Sequence, residues 1–551
     1  MVRTDTARLV WHSHIRHWSA ELGDNGRTNG RTVRTGRRRI HEEFTMPHRQ
    51  PIGVRVTDAE LPHHDPLELY ARLRNVLPES GVFLFESLSG AVQDRRSAVV
   101  GFGRLAEIRV HGEHVDIEGA PYLVRALASA ADAAGMTTDH ADARGVSRHR
   151  FTSADQVFDL LALAQGLFTV DTTVPTTSYA FGFLTTFGYE SAWHMETLPA
   201  RTAESPRPDI TLTLFRDTVW YDVVTGAVRH LRAHSPAFEE VPVPGPADVA
   251  ALAHDAAAAR AAGSVPVVPE APAPLSVRDS VSRDTFLGWA ERCLEHIRVG
   301  DIYQIQIGHR VDVTTSLTPY DVYRRLRDRN PSPYMYLLPR AGSTLIGASP
   351  ELFFRIEGDE IAMRPIAGTA RRGPDDEENQ RRVKEMREST KEQAEHIMLV
   401  DLCRNDIGRV TRPSTQPVDR LMAVETYSHV FHLVSTVTGR LEEGVDTWQA
   451  VRATFPAGTM TGAPKVRAME IIDGLEQETR GSYAGAVGLV DVRGWSELAL
   501  CIRTIEYDGT TYSTQSSAGM VAQSEPEAEW RETLAKMGAA YWALTGEELL
   551  P

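Results

Sequence analysis

Four carboxylates occupy two copies of one pattern, Glu-x-x-Glu: Glu392 with Glu395, and Glu529 with Glu532. On a helix the i, i+3 spacing puts both members of a pair on one face, where like charges repel by roughly a few tenths of a kcal/mol. A cation would relieve that repulsion. Carboxylates from two helices suit a hard divalent ion, and Mg2+ takes only one or two of them together with water and substrate. The competing reading is a solvated helix face. Around the second pair, Ser524 reads as a cap, Pro526 as a first-turn residue, and Trp530, Leu534, Met537 and Tyr541 as an apolar stripe. Glu529, Glu532 and Lys536 then share a different face.

The run 456–465, Pro-Ala-Gly-Thr-Met-Thr-Gly-Ala-Pro-Lys, sets small residues before a helix with Pro464 at its first turn and Val466, Met469 and Ile472 periodic after it. Free amides at such a start favour an anion. The Gly and Lys spacing does not fit a phosphate P-loop, and a plain Gly-rich turn is the alternative. Only four lysines, 384, 391, 465 and 536, stand beside fifty-five arginines. Lys465 and Lys536 fall in these blocks, which hints that a compact ammonium is wanted there. His432, in an apolar stretch, is either a core residue or a general acid or base. Arg503 ends the apolar run 498–502 and is either half of an ion pair or a bidentate carboxylate clamp. No nucleophile elbow occurs, so Cys403 reads as structural.

The elements that must position these groups follow from periodicity. Beyond residue 53, strand-like stretches at 81–85, 98–102, 179–186 and 219–224 alternate with turns, and 155–167 has helical spacing. Asp284 opens a helix with Phe286, Ala290, Cys293 and Ile297 on one side; 302–313, 334–346 and 352–363 read as strands and 377–404 as one helix. Residues 241–277 hold nineteen Pro or Ala in thirty-seven, a linker composition with room for one Ala-rich helix. The predicted organisation is therefore an Arg-rich disordered extension over 1–50, an N-terminal domain over 51–240, the linker 241–277 and a catalytic domain over 278–548. Met46 is read as a second candidate start.

Composition narrows the classes. At 551 residues the chain exceeds one ordinary domain, and its 42% hydrophobic and 24% charged content is globular. The net charge of −15 repels nucleic acid and anionic membrane, although residues 1–50 alone carry +5. Three scattered cysteines make neither a disulfide framework nor a zinc motif and fit a reducing cytoplasm. No apolar run approaches the roughly 18 residues of a membrane span.

Taken together, Gly300-Asp-Ile-Tyr-Gln304, Pro331-Ser-Pro-Tyr-Met335, Gly347-Ala-Ser-Pro-Glu-Leu352, Arg364-Pro-Ile-Ala-Gly-Thr369, the run from Glu395 to Leu402, Arg404-Asn-Asp406, Gly458 to Lys465 and Tyr483-Ala-Gly-Ala-Val-Gly488 resemble the chorismate-utilising enzymes, nearest to anthranilate synthase component I. The resemblance spans roughly 280–540, with a weaker match over about 80–225. It implies an α/β fold of the α+β type, two antiparallel β-sheets packed face to face with helices around them. The implied reaction is amination of chorismate at C2 with loss of the C4 hydroxyl, then pyruvate elimination to anthranilate, a lyase step that feeds tryptophan biosynthesis. It implies Mg2+ as cofactor, with Glu395 and Glu532 as principal ligands and Glu392 and Glu529 beside them. His432 and Thr459 match catalytic positions, and Gly368, Thr369, Tyr483, Arg503, Ala518, Gly519 and Lys536, with Lys465, match or adjoin substrate contacts. The clamp reading of Arg503 gains accordingly.

Two positions choose among the family's reactions. Relatives that add water carry a lysine base where Gln304 stands, and a neutral amide cannot deprotonate water. Relatives that form a covalent C2 adduct carry a nucleophilic lysine where Ala367 stands, so ammonia itself is expected to attack C2. Leu498, Ser517 and Gln523 depart from the usual Thr, Gly and Asp. Those departures keep open an enzyme of secondary metabolism that stops at 2-amino-2-deoxyisochorismate, whereas His432 argues for completing the elimination. With no glutaminase elbow, ammonia is expected from a separate glutamine amidotransferase subunit. The oligomeric state, with copies of itself or that partner, is left open. Ser87, Pro333, Tyr334 and Met335 match a tryptophan inhibitor site, with Phe85 in place of the customary Leu.

Overall fold

Two long strands, Ser97–Val110 and Ile210–Asp222, run antiparallel from Ser97 opposite Asp222 to Val110 opposite Ile210, with a register shift between Arg104 and Ala106. Nearly every residue of both is buried, which their apolar and β-branched composition permits on both faces. Either side of the shift they have different neighbours. Toward one end, Val82–Glu86 joins Ser97–Val110, and Val228–His234 joins Ile210–Asp222. Toward the other, the partners are His114–Gly119 and Gly182–Phe187.

Two sheets grow from these ends. The first continues from Val82–Glu86 through Tyr334–Arg340, Ser343–Ser349, Thr504–Tyr507 and Tyr512–Met520 to Gln304–Thr314. The second continues from Gly182–Phe187 through Ala486–Asp491, Ser496–Leu500, Leu352–Glu357 and Glu360–Met363 to Val430–Arg440, which also carries Ile366–Arg371 and Val418–Thr426. Phe83, Val99, Tyr336 and Leu345 of the first meet Leu184, Val487 and Leu489 of the second in one buried cluster. The two facing sheets are thus continuous, linking 24 strands among the described residues, nearly all antiparallel; Ile52–Glu60 with Phe168–Asp171 is parallel. Strands from before residue 240 pair directly with strands from beyond 278 in both sheets.

This computed structural model describes residues 51–141, 145–238, 241–261, 267–413, 417–427 and 430–550. The expectations for the 1–50 extension and for Met46 lie outside them, and the linker is described only in part. Within it the Ala-rich helix is present as Pro246–Ala261, with Val249, Ala253 and Ala256 buried.

Several predicted elements divide. The strand read over 334–346 is a hairpin, because Ala341 and Gly342 both take positive φ (44° and 84°), the two-residue turn that matches strand twist. The stretch 352–363 is likewise two strands folded back at Gly358. The single helix expected over 377–404 is two, Asp376–Glu388 and Thr390–Gly408, broken at Ser389, whose ψ of 114° is extended and whose hydroxyl caps the second helix at Glu392 N. That break aims the first glutamate pair. At the last helix, Pro526–Thr545, Glu525 occupies the cap position, and Ser524 instead closes a turn by accepting from Val521 N. Pro464 precedes the helix Lys465–Leu475 as its cap residue.

Candidate active site

The last helix is pinned to the first sheet by its apolar side. Trp530, Met537 and Tyr541 are buried, the His309 ring stacks on Trp530 at 4.4 Å, and His309 Nε2 lies 2.8 Å from Thr533 Oγ1. Its other face then carries Glu532 and Lys536, 2.6 Å apart. Lys536 Nζ also donates to Ser517 O at 2.9 Å, which fixes the pair beside the strand Tyr512–Met520. Glu529, one turn earlier, is buried. The helix Thr390–Gly408 packs on the second sheet, its rotation set by buried His396, 2.6 Å from Ser435 Oγ. It presents Glu392 and Glu395.

These carboxylates from two helices converge. Burial raises the Glu395 pKa, and Glu392 and then Glu532 raise it further. Glu529 is raised by burial against a hydrogen bond from Ser524, with Glu532 adding to the rise. Burial works against Glu532 too, but Lys536 and then Arg503 hold it below the usual range. No three of the four glutamates bring ligand oxygens within 4.8 Å of one another; among the described residues, His111, His114 and Asp116 alone form such a group. A set close enough to repel yet too spread to chelate unaided fits an ion that keeps water and substrate in its shell, as Mg2+ does.

The second sheet supplies a histidine. Its strands pair Thr369 with His432, with an irregularity between Ala367 and Thr369 where Gly368 takes φ 79°. A Cβ on Gly368 would stand 3.2 Å from Glu392 Oε2, so glycine keeps this approach clear. His432 Nδ1 lies 3.1 Å from Gly368 O and 3.0 Å from Thr369 Oγ1. A proton on Nδ1, donated to these oxygens, leaves the lone pair on Nε2. Burial pushes the imidazole down to about 4, so it is neutral at pH 7.

At two adjacent points the chain crosses from one sheet to the other. Residues 350–351 link Ser343–Ser349 to Leu352–Glu357, and 501–503 link Ser496–Leu500 to Thr504–Tyr507. The crossings are tied by Leu500 N to Glu351 O at 3.0 Å and Ala348 N to Arg503 O at 3.1 Å. Burial pushes the Glu351 carboxyl up to about 8 against the pull of Thr459, Arg503 and Lys536. It is therefore protonated at neutral pH. Arg503, with φ 52°, forms no hydrogen-bonded ion pair with Tyr483, Glu532 or Glu351, the groups whose charge it feels, and burial lowers its pKa. Thr459 Oγ1 is buried without a well-aligned partner although it adjoins Glu351.

The floor is the pairing of Gln304–Thr314 with Tyr512–Met520, which sets Ala518 opposite Ile307 and Gly519 opposite Gln306. A Cβ on Gly519 would meet Gln306 Nε2 at 2.9 Å and Gln304 Nε2 at 3.3 Å. Gln304 is buried and its Oε1 has no partner. Ser517 Oγ donates to Gln306 Oε1 at 3.0 Å and accepts from Tyr483 OH at 2.6 Å, so this departure from the family pattern ties Tyr483 to the floor.

Lys465 is placed otherwise. Its Nζ donates to buried Asp406 at 2.9 Å and to Thr454 O at 3.0 Å, so the ammonium read as a substrate contact is committed to holding the 456–465 turn. Cys403 is buried with its thiol pKa raised by burial, as a structural cysteine should be. Ser87, Pro333, Tyr334 and Met335 line one cavity with Phe85, Trp220 and Trp495, and Ser87 Oγ lies 2.6 Å from Pro333 O. Its volume is about 40 Å³. A hollow of about 670 Å³, lined by residues such as Arg55, Arg216 and Arg232, includes none of the expected site residues. Glu351 is the main group that sequence reasoning missed; a Pro-Glu step between two apolar strands was its one signal.

Glu351, Arg503, the glutamates and His432 meet where the two sheets join, and the chain that carries them belongs to a known class. A family model described as chorismate binding enzyme matches residues 121–541, and the chain belongs to that family. Among its relatives, a 2-amino-4-deoxychorismate synthase of Streptomyces globisporus is 45% identical over 91% of this chain and 98% of its own length. An anthranilate synthase component 1 of Streptomyces coelicolor is 38% identical over 84% of this chain and 94% of its own. The crystal structure of anthranilate synthase component I from Streptococcus pneumoniae superimposes with a TM-score of 0.59 at 26% identity, covering 81% of this chain and 92% of that one. The menaquinone-specific isochorismate synthase of Escherichia coli, 17% identical with a TM-score of 0.59, shares the fold. The chain is thus a chorismate-utilising enzyme of the aminating type. Among the described residues no helix is long and apolar enough to cross a membrane.

Proposed function

We propose that this enzyme adds ammonia to C2 of chorismate with loss of the C4 hydroxyl and releases the product with its enolpyruvyl group in place. The product is 2-amino-4-deoxychorismate, the same compound as 2-amino-2-deoxyisochorismate, since moving the substituent from C4 to C2 satisfies both names. The observation that carries the amination is Glu351: a buried carboxyl with a pKa of about 8 holds its proton at neutral pH, as protonating a leaving hydroxyl requires. Arg503, on the adjoining crossing, is free to grip a substrate carboxylate, with Tyr483 beside it.

Glu395 and Glu532, with Glu392 and Glu529 beside them, are the residues that would hold Mg2+, which supplies charge neutralisation for the ring carboxylate. The step balances without further reagents: the C2–N bond forms, the ring double bonds shift, the C4–O bond breaks, water leaves with the Glu351 proton, and the proton shed by nitrogen restores that acid. Gln304 offers no base to activate water, and Ala367 no nucleophile. Ammonia is expected from a separate glutamine amidotransferase chain.

On sequence grounds His432 favours completing the elimination, but its burial supports stopping before that step. Elimination needs the C2 proton removed, and an imidazole held at about 4 is a feeble base for it. The 45% relative, matched nearly end to end, bears a name with the same product. The second reading, anthranilate synthase, is favoured by the free Nε2 of His432 and by the 38% relative. Purified chain given chorismate, Mg2+ and ammonium separates them. A product that keeps the enolpyruvyl mass, with no pyruvate detected by coupled lactate dehydrogenase, is expected; stoichiometric pyruvate would make the enzyme a lyase and end the first reading.

A further inference from the structure

Far along the second sheet, the hairpin between Ser97–Val110 and His114–Gly119 turns through Gly112 and Glu113, both exposed. The turn sets His111 against His114: His111 N donates to His114 O at 2.8 Å, and the rings stack at 4.5 Å with 10° between their planes. Asp116 lies two residues beyond His114, on the same side of the strand. Its Oδ2 is 3.8 Å from Nε2 of His111 and 3.8 Å from Nε2 of His114. The three donor atoms all fall within 4.8 Å of one another. Nε2 of His111 is shielded from solvent and has no hydrogen-bond partner.

We propose that His111, His114 and Asp116 form a binding site for a divalent transition ion, Zn2+ foremost, distinct from the carboxylate cleft. Two imidazole nitrogens and one carboxylate oxygen are the donor set that Zn2+ takes, whereas Mg2+ prefers oxygen throughout. Tetrahedral zinc with bonds of about 2.0–2.1 Å places its ligands about 3.3 Å apart. The rings now lie 10° from parallel, so both imidazoles must tilt before their Nε2 lone pairs meet one ion, a side-chain rotation open to two residues that are each 27% exposed. The carboxylate is already aimed: Arg148, from the neighbouring strand Ser147–Arg150, donates to Asp116 Oδ1 at 2.6 Å and Oδ2 at 2.8 Å. A hydrogen bond that orients a ligating carboxylate is a common support for a metal site, and Oδ2 keeps a lone pair facing the imidazoles. Three protein ligands leave the fourth position of a tetrahedral ion to water. A bound ion would clip the hairpin at the sheet's outer end and, binding the folded state alone, stabilise it by mass action.

The test uses the full chain stripped with a chelator, then titrated with Zn2+ and, for its visible absorption, Co2+. Residues 1–50 hold histidines of their own, so the comparison is between wild type and His111→Gln/His114→Gln with the same extension. The double variant is expected to lose one equivalent of Zn2+, the tetrahedral Co2+ band and the Zn2+-induced rise in Tm, while Mg2+-supported amination stays unchanged. Each single variant is expected to weaken binding about 10-fold or more. Equal stoichiometry and affinity in wild type and double variant would overturn the site. If the double variant fails to fold, the single variants decide, and undiminished binding in both would overturn it equally.

Discussion

Lys536 ties Glu532 to the first sheet: its Nζ is 2.6 Å from Glu532 Oε1 and 2.9 Å from the backbone oxygen of Ser517. The carboxylate is kept ionised and facing the cleft by a residue one helical turn away, and the turn itself is anchored to the sheet. Glu532→Gln keeps the shape and removes the charge. Its turnover with saturating ammonium is expected to fall about 100-fold or more, with the circular dichroism spectrum unchanged. Wild-type rates in this variant would remove Glu532 from the ion's shell.

Glu351→Gln should lower kcat by about 10²–10⁴-fold, the usual worth of a general acid. The pH profile gives the sharper check. The acid works only when protonated, so wild-type kcat/KM for chorismate, measured at fixed free ammonia, is expected to decline as pH rises through about 8, and that basic limb should vanish in the variant. Stability follows the same proton. Between the unfolded value of 4.5 and about 8 the folded chain alone binds it, so this residue's contribution falls as pH rises across that window and is flat above it.

Ser389 caps the helix that presents Glu392 and Glu395. Ser389→Ala should cost about 1 kcal/mol of stability. Because the cap lies next to the carboxylates, the Mg2+ concentration for half-maximal activity is expected to rise, measured by titrating Mg2+ at fixed chorismate. A change in Tm with no change in Mg2+ requirement would separate the cap from the site.

Tryptophan is expected not to inhibit. The cavity that gathers Ser87, Pro333, Tyr334 and Met335 has about 40 Å³, room for a few waters and not for an indole. Trp220, stacked on Tyr179 at 6.2 Å, and Phe85 take the space. Rates measured across rising tryptophan should stay level, and inhibition at micromolar tryptophan would show that these rings move aside.

Much of this site was legible in the chain. The glutamate pairs and the stripe of Trp530, Met537 and Tyr541 declare themselves by spacing, because the helix period is a local property, whereas Ala518 and Gly519 are marked only by the family resemblance. What escaped was tertiary. Nothing near Glu351 in the chain reveals that two sheets will enclose it, and nothing near Lys465 reveals that Asp406 will reach its ammonium. The divided elements failed for another reason: Ala341 is not a customary positive-φ residue, and Ser389 interrupts a stretch whose charged residues favour helix on both sides.

Because Glu351 and Arg503 ride on single-chain crossings between the sheets, neither can be repositioned alone. A residue inserted or deleted in Ser343–Ser349 or Ser496–Leu500 would slide acid and guanidinium together, as well as flipping every side chain of that strand. New substrate preferences in such a scaffold must therefore arise by exchanging side chains in place, while the lengths of these segments stay frozen.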